Sequence, residues 1–229
     1  MENKNDPGKT TSNPKVKVTK DGPYLVSGGV PLSEQNPGVD AEQQCHGWQE
    51  GKKFPAQETY ALCRCGHSQN KPFCDGNHVK AHFNGTETAT NQPYVEQARV
   101  TNGPNLTLTD AEEFCVSARF CHRAGGTWTL TEESDDPEAR KTAIEEAADC
   151  PSGRLITWDT EWKPIAPQYE ASIGLAYDTQ FNKIGPIWVR GGIPIESADG
   201  KTYEVRNKVT LCRCGKSTNK PFCDGNHLK

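Results

Sequence analysis

The residues from Cys63 to His78 and from Cys212 to His227 are one sixteen-residue text written twice, differing only at His67/Lys216 and Gln69/Thr218. Each copy reads C-x-C-x8-C-x3-H, so six of the ten cysteines and two of the six histidines fall in a repeated set of three thiols and one imidazole. A segment this short cannot bury a core by itself, so the ligands and the partner copy must supply what holds it together.

The spacing suggests how the donors are shared. Residues two apart in an extended loop face the same side, so Cys63 and Cys65 can hold one metal ion, as can Cys212 and Cys214. Residues four apart share a face on a helical turn, which would pair Cys74 with His78 and Cys223 with His227 on a second ion. The implied object is a two-iron cluster with one iron on two thiolates and the other on a thiolate and an imidazole. Pro72 is the residue expected at a helix start, where free backbone N–H groups favour the Cys74 thiolate. Asp75-Gly76 permits a tight wrap around the metal. On spacing alone a structural zinc competes, although such sites usually place roughly two to four residues between their first two cysteines.

The wording closely resembles the CDGSH iron–sulfur family, also called NEET proteins, whose motif reads C-x-C-x2-S/T-x3-P-x-C-D-G-S/A/T-H. Cys63, Cys65, Ser68, Pro72, Cys74, Asp75, Gly76 and His78 match in the first copy; Cys212, Cys214, Ser217, Pro221, Cys223, Asp224, Gly225 and His227 match in the second. Asn77 and Asn226 depart from the small residue usual there, with no ligand lost. The resemblance implies a soluble tandem member with a redox-active 2Fe-2S cluster in each motif. Three cysteines and one exposed histidine would hold each cluster, used in electron or cluster transfer.

Outside the motifs the chain is polar. Its 33% hydrophobic content becomes about 40% when glycine is counted and tyrosine is not, below the usual ~45–50%, so cores are thin and metal is a natural staple. A net charge of -4 argues against nucleic acid as the main partner. Arg64, Lys71 and Lys80 against the single acid Asp75 suggest a local basic face for an acidic redox partner. Residues 1–15 read as a disordered tail, neither secretory signal nor membrane anchor, and no apolar run approaches a membrane span. Many cysteines without a signal sequence point to a reducing cytoplasm with the thiols on metal.

The duplication extends upstream. Gly22-Pro23-Tyr24-Leu25-Val26-Ser27-Gly28-Gly29-Val30-Pro31-Leu32 aligns with the stretch from Gly185 to Ile195, each reading as two short strands around a Gly-Gly turn. Third strands are expected near Thr59–Leu62 and Val205–Leu211. Gly22 to Cys63 is 41 residues and Gly185 to Cys212 is 27, so the first copy carries 14 extra, placed around Gln35 to Gly51. The expected class is α+β: two small β-rich repeats, residues 16–83 and 172–229, packed as an internal pseudo-dimer that makes the chain a monomer. Residues 84–171 form a central ferredoxin-like α+β insertion.

In that insertion, Thr109-Asp110-Ala111-Glu112 reads as a capping box opening a helix that stops near Gly125-Gly126. Ser134-Asp135-Asp136-Pro137 opens another through Ala143, Ile144 and Ala147 to Cys150. Thr127–Thr131 and Leu155–Trp158 read as strands. The pattern of Cys115, Cys121 and Cys150-Pro151 resembles single-cluster bacterial ferredoxins in which the second ligand of C-x-x-C-x-x-C has been lost, Ala118 standing in its place. That resemblance implies a 3Fe-4S or a divergent 4Fe-4S centre, with Cys45 or His122 as a further ligand. Against it, an unbroken helix from Asp110 to His122 would set Cys115 and Cys121 roughly 120° apart, and buried cysteines without metal are the plainer reading.

The five tryptophans read as core aromatics. No G-x-G-x-x-G, P-loop, H-E-x-x-H or G-x-S-x-G is present, so no enzyme is expected beyond an electron-supplying component. The leading expectation is an iron–sulfur protein with a redox or cluster-accepting protein partner. A zinc-stapled interaction module and a redox or iron sensor are the alternatives.

Overall fold

The computed structural model describes residues 12–39, 41, 44–178 and 181–229. Most of the expected N-terminal tail, residues 1–11, lies outside the described residues; its last member, Lys15, is already in a strand. The first repeat contributes β1 (Lys15–Val18), β2 (Tyr24–Ser27), β3 (Leu32–Val39), β4 (Cys45–Lys53), β5 (Thr59–Leu62) and a single helical turn, α1 (Asn77–Lys80). The middle adds α2 (Tyr94–Gln97), β6 (Arg99–Asn102), β7 (Thr107–Asp110), α3 (Thr127–Glu132), α4 (Pro137–Asp149), β8 (Leu155–Trp158) and β9 (Pro164–Ile165). The second repeat supplies β10 (Ser172–Asp178), β11 (Lys183–Arg190), β12 (Ile195–Glu196) and β13 (Lys208–Leu211).

The Gly-Gly turns fall where the sequence puts them. Gly28, Gly29, Gly191 and Gly192 all have positive φ, which glycine adopts without a Cβ clash. After each turn the chain crosses to the other repeat. The strand order of one sheet is β12-β1-β2-β5 and of another β13-β11-β10-β3-β4, so the first takes β12 from the second repeat and the second takes β3, with its partner β4, from the first. The two crossings are equivalent: Val16 pairs in parallel with Ile195, and Ile173 with Leu32. Both repeats feed one core, in which Val16, Val18, Tyr24, Leu62, Ile173, Leu175, Ile187 and Leu211 are all at most 1% exposed. Each such aliphatic side chain contributes roughly 1.5–3 kcal/mol on burial. The first repeat's extra residues lengthen β3 and pair it with β4 as an antiparallel hairpin.

The middle region forms a third sheet, β6-β7-β8-β9. Leu106, Leu130, Ala139 and Ala143 pack α3 and α4 against it, and Leu108, Ala147 and Leu155 form a second small cluster. α4 begins as expected, with the Asp136 carboxylate accepting from the Glu138 N–H and Pro137 in the first turn.

Four expectations are corrected. No helix runs from Asp110 to Gly125. Thr109 and Asp110 are spent on pairing with β6 and β8, and only 3-10 turns at Glu112–Phe114 and Phe120–Gly125 follow. The break between them holds Ser117 and Arg119 at positive φ, outside any right-handed helix. Thr127–Thr131 is helix rather than strand: the Thr131 hydroxyl donates to the Thr127 carbonyl at 2.7 Å and the Thr127 hydroxyl to Glu146 at 2.6 Å, bonds available only in the helical arrangement packed on α4. Trp162 is 56% exposed rather than a core residue, whereas Trp188 is buried. Arg64 is 1% exposed and belongs to no surface basic face; its guanidinium lies over Tyr24 and Phe83 and donates to the Gly22 and Gly85 carbonyls.

Candidate metal centres

Each motif is a loop closed on the strand before it. The Cys63 N–H donates to the Pro72 carbonyl and the Cys74 N–H to the Ala61 carbonyl, at 2.8 and 2.9 Å. The second motif repeats both bonds, from Cys212 to Pro221 and from Cys223 to Thr210, at the same distances. Pro72 is therefore not a helix start, and the Cys74 N–H is not free to favour a thiolate. The helical turn begins only at Asn77, after Gly76 at φ +85°, a conformation no right-handed helix can pass through.

The remaining motif residues brace the loop. The Ser68 hydroxyl donates to the Phe73 carbonyl at 2.6 Å, and Ser217 does the same to Phe222 at 2.7 Å. The Asp75 carboxylate accepts from the Gln69 and Asn77 backbone N–H groups, and these bonds hold its pKa below the usual carboxylate value. Asn77 and Asn226, the departures from the small residue, add side-chain bonds to Asp75 and Asp224 at 2.9 and 2.7 Å. Lys71 and Lys220 each donate to a loop carbonyl, of Ser68 and Ser217.

This bracing brings the donors together in pairs. Cys63 Sγ stands 3.7 Å from Cys65 Sγ, and Cys212 Sγ 3.8 Å from Cys214 Sγ. Cys74 Sγ stands 3.4 Å from His78 Nδ1, and Cys223 Sγ 3.6 Å from His227 Nδ1. Two sulfurs bound at about 2.3 Å to one tetrahedral metal are about 3.8 Å apart, and replacing one by a nitrogen at ~2.1 Å shortens this to about 3.6 Å. Among the described residues no three of His, Cys, Asp or Glu converge on one ion position. Each pair is spaced to hold one metal atom.

The two motifs touch reciprocally. A methyl built on Gly66 would stand 2.7 Å from the Cys214 carbonyl oxygen, and one on Gly215 would stand 2.7 Å from that of Cys65, so both positions require glycine. The buried Tyr24 hydroxyl lies 2.9 Å from the Cys212 carbonyl and 3.0 Å from that of Pro221. Burial pushes the Cys223 thiol above its ordinary range, and in the Cys212–Cys214 pair the Cys214 thiol donates to Cys212 and lowers the pKa of the latter. Burial also lowers the His227 pKa, which favours the neutral imidazole that metals bind.

The three middle cysteines share one cavity wall. Cys115, Cys121 and Cys150 line a single cavity of about 220 Å³, with His122 and Arg154 in the same wall. With no helix between them, the angular objection to a shared site falls away. Cys45 is not in that wall. Its residue lies at the start of β4, where Arg123 approaches its carbonyl at 3.5 Å, and it is replaced by His122 as the candidate further donor.

Arg154 escaped the sequence reading. It is fixed by two bonds to Asp110, at 2.5 and 2.8 Å, and places a cation in a wall of thiols. Trp128 Nε1 donates to the same carboxylate at 3.1 Å. Nothing around Arg154 in the sequence marks it, because its role depends on a partner 44 residues away. Burial pushes the Cys121 thiol up to about 12, a cost that a bound metal would offset by taking the thiolate.

Comparison with known families agrees with this division. Residues 21–79 and 184–228 match the iron-binding zinc finger of CDGSH type, and residues 101–160 match a divergent 4Fe-4S mono-cluster family. No curated protein and no solved structure gives a significant match. None of the helices described is long and apolar enough to cross a membrane.

Proposed function

From a chain whose two motif regions match the CDGSH-type iron-binding family and whose middle matches a divergent 4Fe-4S mono-cluster family, we infer an iron–sulfur protein that carries single electrons or assembled clusters. The observation that carries this reading is the donor pairing, sulfur with sulfur and sulfur with nitrogen, at spacings suited to one metal atom per pair. Cys63 and Cys65 would hold one iron and Cys74 and His78 the other; Cys212, Cys214, Cys223 and His227 would do the same in the second motif. Each 2Fe-2S group, when bound, supplies one-electron redox chemistry. The chain's part is to hold the thiolates by loop bonds, to offer a neutral imidazole, and to keep water off the buried sulfurs.

A neutral imidazole leaves the centre less negative than a fourth thiolate would and raises its reduction potential, as in Rieske centres. The same ligand is the weak point, since acid protonates the imidazole that must be neutral to bind. In the middle region Cys115, Cys121 and Cys150 would hold the third centre, a 3Fe-4S group or, with His122, a 4Fe-4S group. The exchanged strands support the internal pseudo-dimer, in which each repeat completes the other's sheet and the chain works as a monomer.

The test is acid bleaching of the purified, coloured protein. The parent loses its visible absorbance as pH falls through the histidine range. The His78→Cys/His227→Cys double variant keeps it to lower pH, with a lower reduction potential. If the double variant bleaches at the same pH as the parent, the histidine ligation is wrong. A colourless protein containing zinc would favour the stapled interaction module.

A further inference from the structure

The two motifs are nearly identical in sequence, yet the fold treats them differently. Around Gly76 of the first motif a built methyl meets nothing within 4 Å, whereas around Gly225 it would stand 3.1 Å from the Cys115 carbonyl oxygen and 3.2 Å from Ser117 Oγ. Cys74 is partly exposed and Cys223 is 1% exposed. α1, which carries His78, has no buried residue, and its Val79 is 70% exposed. His227 instead lines a small cavity with Val116, Ala118, Arg119 and Phe120, the loop between Cys115 and Cys121, and with Asp178, which pairs with Arg119 at 2.9 Å.

Ring and amide contacts follow the same asymmetry. Phe222 packs edge-on against Phe114, one residue before Cys115, and the Asn219 amide donates to the Glu113 carbonyl at 3.3 Å. Phe73, the equivalent of Phe222, packs against Phe54 and Tyr60 of its own repeat. The first motif meets the second through the Gly66–Cys214 and Gly215–Cys65 contacts, and the second meets the middle cysteines through Gly225.

We propose that the three sites form an ordered relay: the first motif is the port that exchanges electrons with an external one-electron redox protein, and the second is an internal station between that port and the middle cysteines. This rests on the iron–sulfur reading above. In each step one electron leaves a reduced site and is taken by the oxidised neighbour, with no bond made or broken. The external redox protein supplies or removes that electron at the first motif.

Power-saturation electron spin resonance on the dithionite-reduced, fully loaded chain tests the order. The His78→Cys and His227→Cys variants shift one signal each and so assign the two 2Fe-2S spectra. Cys121→Ser and, independently, Cys150→Ser then remove or alter the middle centre. The relay requires the second motif's signal to saturate at a several-fold lower microwave power in these variants, with a smaller change or none in the first. A response confined to the first motif's signal, or equal in both, overturns the order while leaving the iron–sulfur reading intact. If the parent's iron and sulfide account for no middle centre, the relay fails although the motif clusters stand. If there are no motif clusters, both readings fail.

Discussion

The Glu146 carboxyl is fully buried in α4, with one oxygen accepting from the Thr127 hydroxyl at 2.6 Å and the other without a partner among the described residues. Burial raises its pKa from the ordinary 4.5 to about 7. A carboxyl whose folded pKa lies above its unfolded value costs nothing below the unfolded value, and destabilises progressively as pH rises through the window between the two. Glu146→Gln should therefore match the parent near pH 4 and exceed it by about 1–2 kcal/mol above pH 7, after allowance for solvent screening. Denaturant titrations at both pH values check this; a variant less stable at pH 8 would show that the ionised carboxylate is a favourable partner of Arg123. At this scale the pairing of the motif cysteines and histidines was legible because those residue types in a fixed repeated register carry few meanings. Arg154, Asp110 and the wall they build were not, because an arginine signals a site only once the fold shows what it faces.

Among the elements, α4 was readable from both ends. Asp136 and Pro137 form a start signal, and alanines at Ala139, Ala143 and Ala147 mark one buried face. Asp136→Ala should cost about 1 kcal/mol through loss of the N-cap, a shift in thermal midpoint that calorimetry resolves. α3 was misread because its threonines favour strands in isolation, and only packing against Glu146 and the Leu106 cluster reverses that preference. The capping-box signal at Thr109 failed for the related reason that sheet pairing claimed those residues first.

At the scale of the molecule, the upstream duplication disclosed two similar strand sets, and the exchange of β3 and β12 between them was not visible. A Gly-Gly turn states that the chain reverses and leaves open which sheet it joins. Because each large sheet needs a strand from the other repeat, residues 12–83 or 172–229 expressed alone should fail to fold, and the whole chain's two repeats should unfold in one calorimetric transition. Two separate transitions for the repeats would contradict the exchange.

The central claim, that paired donors in each motif hold two iron atoms bridged by sulfide, is tested most directly by iron, zinc and acid-labile sulfide analysis with Mössbauer spectra of the anaerobically purified chain. The account predicts two iron and two sulfide per motif, with the two iron atoms of each motif in distinct environments, one all-sulfur and one with nitrogen. Stoichiometric zinc without sulfide, or iron in a single all-sulfur environment at both motifs, would contradict it.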